Sequence, residues 1–181
     1  MFNTKDQKKA SWLHRAEMCA DMIAQLRQRI VDPLECDALR IADVGCGDMK
    51  LKRALEERGL RCHYDGFDLI PQSPDVKLFD VRRDELPARY TVVTLLGVIE
   101  YIEPLDEALK RLAGCTDSIV LSHVIRQDAT YTPQKCKELG WINHLSQSEL
   151  EGRLHRNRID VLETRLDTEG KTLLLLCQVR R

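Results

Sequence analysis

Ile41-Ala42-Asp43-Val44-Gly45-Cys46-Gly47-Asp48-Met49 is a short apolar run that breaks into two glycines. Leu39 to Val44 is short and apolar enough to be a buried strand. Gly45 and Gly47 then offer bare backbone at its carboxyl end, where the chain can turn into a helix and a ligand can approach closely. A lone G-x-G is equally what a tight strand-to-helix turn without a ligand looks like. A nicotinamide-dinucleotide fingerprint wants a third small residue at G-x-G-x-x-G, and Lys50 stands there with a bulk that spoils close packing of helix on strand. The phosphate-cradling G-x-x-x-x-G-K-[ST] is absent. Two acids favour a ligand. Asp43, at the end of the strand before the glycines, can meet an ammonium group, and Asp68 lies near the ~20-residue spacing at which a carboxylate grips ribose hydroxyls. Asp80 adds a third acid at the carboxyl edge, where open α/β sheets bind their ligands.

Working outward, Lys50 to Arg58 reads as a helix stopped by Gly59. Arg61 to Phe67 reads as a strand closed by Asp68, and Val76 to Phe79 as another closed by Asp80, with Pro71 and Pro74 in the loop between. Thr91 to Leu96, all β-branched or Leu, predicts a central strand covered on both faces. A helix over Pro104 to Leu112 and a strand over Ser118 to Ile125 follow. This alternation predicts βαβ crossovers and a parallel sheet with helices on both faces. Upstream, Leu13, Ala16, Ala20, Ile23, Leu26 and Ile30 recur at steps of three and four, which predicts an amphipathic helix from Thr4 to Val31 ended by Pro33. Downstream, Ser146 and Ser148 stand at capping-box spacing from Glu149 and Glu151 before a helix over Glu149 to Arg156. Ile159 to Leu166 and Lys171 to Val179 flank the turn Asp167-Thr168-Glu169-Gly170 and predict an antiparallel hairpin.

The balance of 28 basic against 29 acidic residues in 181, net charge -1, gives no support for nucleic-acid backbone binding without excluding it. The longest apolar runs fall far short of the ~20 residues that a membrane span needs. The first residues hold charges with no apolar stretch behind them, which is not a secretory signal and predicts a cytoplasmic chain. Seven scattered cysteines with no C-x-x-C pair signal neither a disulfide framework nor a metal site. The chain has no internal repeat or linker and reads as one domain.

At these residues the chain resembles the class I S-adenosylmethionine-dependent methyltransferases, over most of its length. Asp43-Val44-Gly45-Cys46-Gly47 is similar to the family's glycine motif, Gly66-Phe67-Asp68 to its ribose-binding strand end, and Phe79-Asp80-Val81 to its adenine-contacting turn. Leu96-Gly97-Val98-Ile99-Glu100-Tyr101-Ile102 resembles the segment after its fourth strand, and the hairpin its antiparallel seventh strand. The resemblance implies S-adenosylmethionine as cofactor, with Asp43, Gly45, Cys46 and Gly47 near the methionine moiety, Asp68 on the ribose, Asp80 and Val81 at the adenine, and Leu69 and Leu96 flanking them. Met49 stands where many members have a third glycine, which should tighten the loop. The N-P-P-Y type motif of nucleobase and glutamine methyltransferases is missing.

A sulfonium is already a reactive methyl donor, so such an enzyme mainly aligns an acceptor and, where needed, removes a proton. Glu100, Tyr101, His123, Tyr131 and His144 are candidates at the carboxyl edge, with His144 and Tyr101 taken as the catalytic pair. His123 reads better as a strand histidine with a backbone partner. His144 lies in Gly140-Trp141-Ile142-Asn143-His144-Leu145-Ser146, similar to a substrate-facing loop, although Asn143 and His144 could simply start the next helix. Glu100 could equally be a helix-start charge. Trp12 is either a lid residue or plain packing on the sheet. The basic clusters Arg82-Arg83 and Arg153, His155, Arg156, Arg158 are explained by solvated faces.

The expectation is an α/β Rossmann-like, seven-stranded, mostly parallel sheet with an antiparallel C-terminal strand: residues 1–36 a helical lid, 37–125 the cofactor-binding core, 126–181 the substrate-side loop, helix and hairpin. The expected activity is methyl transfer to an oxygen or nitrogen of a small-molecule acceptor, by a monomer or homodimer without membrane or metal. An RNA or protein methyltransferase would show a basic patch beside the pocket, a non-catalytic module supporting a partner would show a broad apolar patch, and a dehydrogenase is disfavoured by Lys50.

Overall fold

The computed structural model describes residues 4–30, 39–126 and 131–181. Its strands are β1 (Arg40–Val44), β2 (His63–Asp68), β3 (Val76–Leu78), β4 (Tyr90–Leu96), β5 (Thr116–Val124), β6 (Ile159–Leu166) and β7 (Thr172–Val179). Its helices are α1 (Thr4–Ile30), α2 (Lys50–Glu57), α3 (Leu105–Gly114), α4 (Pro133–Glu138) and α5 (Gln147–Arg156), with a single 3-10 turn at Ile99–Tyr101. All seven strands form one sheet in the order β3-β2-β1-β4-β5-β7-β6. β7 runs antiparallel to both β5 and β6, and the other pairings are parallel. From β1 the chain winds first toward β3 and then, through β4, the opposite way. That reversal opens a crevice at the carboxyl ends of β1 and β4, where such sheets bind ligands.

Side chains that alternate across each strand supply two separate cores. On one face Ile41, Val92, Val120, Leu174 and Leu176 pack under Ala16, Cys19, Ala20, Ile23 and Leu26 of α1 and Leu51 and Leu55 of α2. On the other Val93, Leu95, Ile119, Leu121 and Leu175 pack under Leu105, Leu109 and Leu112 of α3 and Leu150 and Leu154 of α5. The predicted stripe on α1 holds from Ala16 to Leu26, but Leu13 is 43% exposed. Val31, Pro33 and Cys36, and the side chain of Ile30, lie outside the described residues. Within them no helix is long and apolar enough to cross a membrane.

Local signals end the helices as their chemistry requires. Gly59, at φ +64, lets Leu60 N–H reach Leu55 O at 3.0 Å and Gly59 N–H reach Glu56 O at 2.9 Å, a Schellman closure of α2. Ser146, not Ser148, caps α5: its hydroxyl accepts the Glu149 amide at 3.3 Å, and Glu149 Oε2 accepts the Ser146 amide at 2.7 Å. The expected substrate-side loop contains a short helix. Residues 133–138 form α4, capped by the Thr132 hydroxyl with Pro133 in the first turn, a Thr-Pro start too short to show periodicity. Residues 127–130 of the same expected loop lie outside the described residues.

Met49 begins α2 at φ 58 and ψ 40, the left-handed conformation that a glycine takes without strain. It occupies the third position of the glycine motif and adopts the glycine's shape. Met49→Gly should therefore raise stability by about 1 kcal/mol, a rise of roughly 2–4 °C in the thermal midpoint, and an unchanged or lower midpoint contradicts the strain. The capping box gives a second expectation. The Ser146 amide, the Ser146 hydroxyl and Arg126 hold the Glu149 carboxyl at about 2. A depressed pKa contributes stability that is complete above the unfolded value and is lost as pH falls toward the folded one. The difference between wild type and Glu149→Gln in urea unfolding should be full at pH 6 and vanish near pH 2.

Candidate functional site

The glycine loop is pinned to β2 before anything binds there. Gly45 and Cys46 both donate to Phe67 O, at 2.7 and 3.1 Å. Gly45, at φ +76, lies so close to Val98 that an added Cβ would stand 2.3 Å from its Cγ2, so no side chain fits. Asp68 holds the next stretch: Oδ2 accepts the Gly47 amide and Oδ1 the Ile70 amide, each at 2.9 Å. Asp43 is buried and accepts from the Thr94 hydroxyl at 2.6 Å and the Tyr64 hydroxyl at 2.5 Å. Burial pushes its pKa up, against those two hydrogen bonds. Asp80 is clasped by Arg82, which donates to both carboxylate oxygens at 2.8 Å and holds the carboxyl at about 2. Burial pushes the Cys46 thiol up to about 12, aided by Asp43 and Asp68.

These residues line two adjoining cavities. One, about 370 Å³, is bordered by Asp43, Gly45, Cys46, Gly47 and Leu96, with Trp12 above them. The other, about 430 Å³, is bordered by Asp68, Leu69, Asp80 and Val81. All nine residues expected at a cofactor fall on one or the other, and Gly45 and Gly97 border both.

A third cavity of about 420 Å³ opens on the far side of Gly97. Trp12, Tyr101, Tyr131 and Trp141 give it aromatic walls, and Arg15, Glu100, Lys135, Asp167, Glu169 and Lys171 give it charge. Gly97 borders all three spaces. At φ +66, its ideal Cβ would stand 2.2 Å from the Trp12 ring, so the indole rests on bare backbone where β4 ends. Trp12 is 38% exposed and borders the first and third cavities.

Tyr101 borders the second and third cavities, its hydroxyl accepting from Trp141 Nε1 at 3.1 Å. His144, expected at the reaction centre, is not among the residues bordering the third cavity but stands behind its wall. Its ring packs against Tyr131 and Trp141 at centroid distances of 5.7 and 5.6 Å, and Nδ1 lies 3.2 Å from Cys136 Sγ. Burial lowers its pKa. His123 is the buried strand histidine it resembles, with the Leu145 amide donating to Nε2 at 3.1 Å. Glu100 does more than start a helix: it is 2% exposed, and its Oε1 accepts the Val124 amide at 2.9 Å. Asn143 caps nothing; its side chain donates to Ile99 O at 2.8 Å and Ile102 O at 2.6 Å.

Sequence reasoning passed over Arg15 and Trp141. The signal for Arg15 was its place three residues after Trp12, on the same helical face. Among the described residues no group of three metal-ligating side chains converges, and every cysteine there is free.

Comparison with known proteins agrees with this geometry. The family described as "Methyltransferase domain" matches residues 11–164. No curated protein sequence matches significantly. Among solved structures, magnesium protoporphyrin IX methyltransferase from Synechocystis PCC 6803, with bound S-adenosylhomocysteine, superimposes with a TM-score of 0.67 at 15% identity over 99% of this chain and 89% of its own. A Burkholderia thailandensis 1,6-didemethyltoxoflavin-N1-methyltransferase gives 0.65 at 14% identity, over 92% and 79%. An O-methyltransferase of neocarzinostatin biosynthesis, bound to S-adenosylhomocysteine and 1,4-dihydroxy-2-naphthoic acid, gives 0.63 at 15% identity over 79% of this chain, which spans half the length of that protein. By the family match, over a seven-stranded sheet with the expected antiparallel end, the chain belongs to the methyltransferase-domain family, the class I S-adenosylmethionine-dependent enzymes that its sequence resembles.

Proposed function

We propose that this chain transfers a methyl group to an oxygen or nitrogen of a small-molecule acceptor, with S-adenosylmethionine along the first two cavities and the acceptor in the third. The observation that carries this reading is Gly97, whose bare backbone borders all three spaces and so marks where donor and acceptor meet. The residues fit the cofactor chemically: a carboxylate at the end of β2 for ribose hydroxyls, glycines that admit close approach, and a buried acid at the end of β1. When bound, S-adenosylmethionine supplies an activated methyl group. The protein's own residues then bind, orient and exclude water. Asp68 shapes the glycine loop through the Gly47 amide while facing the second cavity. Trp12 on α1 serves as the lid, Tyr101 as the residue that aligns the acceptor, and His144 as a positioning residue acting through Tyr131 and Trp141. A cavity of about 420 Å³ with aromatic walls favours a small acceptor over RNA, and two of the structural neighbours carry names of small-molecule methyltransferases.

Calorimetric titration tests the reading. S-adenosylmethionine and S-adenosylhomocysteine should bind and NAD should not, and Asp68→Ala should weaken both by tenfold or more, the loss of roughly 1.5–3 kcal/mol expected for hydrogen bonds to a charged group. Binding of NAD instead, or no binding of either sulfur compound, overturns it. Gly97→Ala should lower affinity for S-adenosylhomocysteine as well, because the added methyl displaces Trp12; unchanged affinity means that the indole does not close the crevice.

A further inference from the structure

The charges around the third cavity divide into those with partners and those without. Lys171 Nζ lies 3.2 Å from Glu169, and Lys135 Nζ lies 3.8 Å from Glu138. Asp167 Oδ1 accepts the amides of Lys171 and Thr172 at 2.8 and 3.1 Å. Arg15 and one oxygen of Glu100 remain. The Arg15 guanidinium sits over the Trp12 ring, 4.6 Å from its centroid, with Nε buried and lacking a hydrogen-bond partner. Among the described residues it makes no ion pair. Glu100 Oε1 accepts the Val124 amide and stands 3.2 Å from His123 Nδ1. His123 Nε2 faces the backbone of Leu145, 3.1 Å from its amide and 3.2 Å from its carbonyl. Oε1 thus holds the Val124 amide, while Oε2, on a carboxylate 2% exposed, has no partner.

Arg15 and Glu100 border the same cavity without pairing with each other. A buried polar atom left unsatisfied is costly, so this arrangement is complementary to a molecule that brings an acceptor to one and a donor to the other. A guanidinium matches a planar carboxylate, and the aromatic walls match a flat ring. We propose that the acceptor is a planar aromatic carboxylic acid carrying a hydroxyl or amino group. Its carboxylate pairs with Arg15, its O–H or N–H is donated to Glu100 Oε2, and its ring lies among Trp12, Tyr131 and Trp141. This rests on the third cavity being the acceptor site of the function proposed above.

The test is calorimetry on the whole chain saturated with S-adenosylhomocysteine, whose own titration is measured first. The probes are 3-hydroxybenzoate, benzoate, which lacks the hydroxyl, and phenol, which lacks the acid. Wild type should bind 3-hydroxybenzoate at least tenfold more tightly than either half-ligand, on the scale of one charge-assisted hydrogen bond. Arg15→Gln should reduce 3-hydroxybenzoate to the affinity of phenol and leave phenol unchanged. Glu100→Gln, which keeps an acceptor for the Val124 amide, should remove the preference over benzoate. A merely structural role for either residue would weaken all three probes alike, and that result overturns the proposal. So does wild type binding S-adenosylhomocysteine without preferring the hydroxy acid, in which case the methyltransferase reading stands. That wild-type comparison decides even where a variant does not fold. Failure of S-adenosylhomocysteine to bind overturns both.

Discussion

The contact between Trp12 and the backbone of Gly97 is the constraint on which the functional half of the molecule depends. β4 is a central strand, and its end is fixed by ladders to β1 and β5. The Gly97 amide is held further by the Ser122 hydroxyl of β5 at 2.8 Å. An indole resting on that point ties α1 to the end of β4, and Arg15, one turn on from Trp12, borders the third cavity. A side chain at 97 would collide with the Trp12 ring. The φ of +66 and the lack of room for a Cβ are independent reasons for glycine at this position.

The opposite wall is fixed by a different device. Glu100 O accepts two amides, from Ile142 at 2.8 Å and Asn143 at 3.0 Å, and the Asn143 side chain returns hydrogen bonds to Ile99 O and Ile102 O. The 3-10 turn after β4 and the loop before α5 are thereby stitched together by four bonds. The Glu100 side chain reaches β5 through the Val124 amide, and His123 joins β5 to the same loop through Leu145. Of the groups that look most like catalytic acids and bases in the sequence, Glu100 thus does structural work and also borders the cavity, while His123 does structural work alone. Aromatic residues that line it are carried on the segments so fixed: Tyr101 on the 3-10 turn and Trp141 on the loop.

What could be read from the sequence follows from this. The glycine loop and the acids at 43, 68 and 80 were legible because each is a strand-end feature, set by a handful of neighbouring residues. All of them line the two cavities next to that loop. The third cavity was not legible in the same way. Its residues come from α1, the turn after β4, α4 and the β6–β7 turn, and only the placing of β7 beside β5 brings the last of these near the first. His144 packs on Tyr131 and Trp141 without bordering the cavity, and loop chemistry alone could not tell one side of that aromatic pair from the other. α4 escaped notice because a helix of this length has no period to detect.

The three strand-end acids are alike in sequence position and unlike in use. Asp43 is buried, with a hydroxyl on each oxygen, and burial raises its pKa, so it joins β1 to its two neighbouring strands at the floor of the first cavity. Asp80 has both oxygens taken by Arg82 and a carboxyl held at about 2. It gives the second cavity a rigid turn rather than a free acceptor. Asp68, half-exposed beside the cavity, is the one of the three whose partners are backbone amides only, and each carboxylate oxygen has a second lone pair open. A pattern of acids at strand ends therefore locates the crevice, while the partners of each acid decide which of them remains able to bind anything. By that measure Asp68 is the acid with capacity to spare for a ligand.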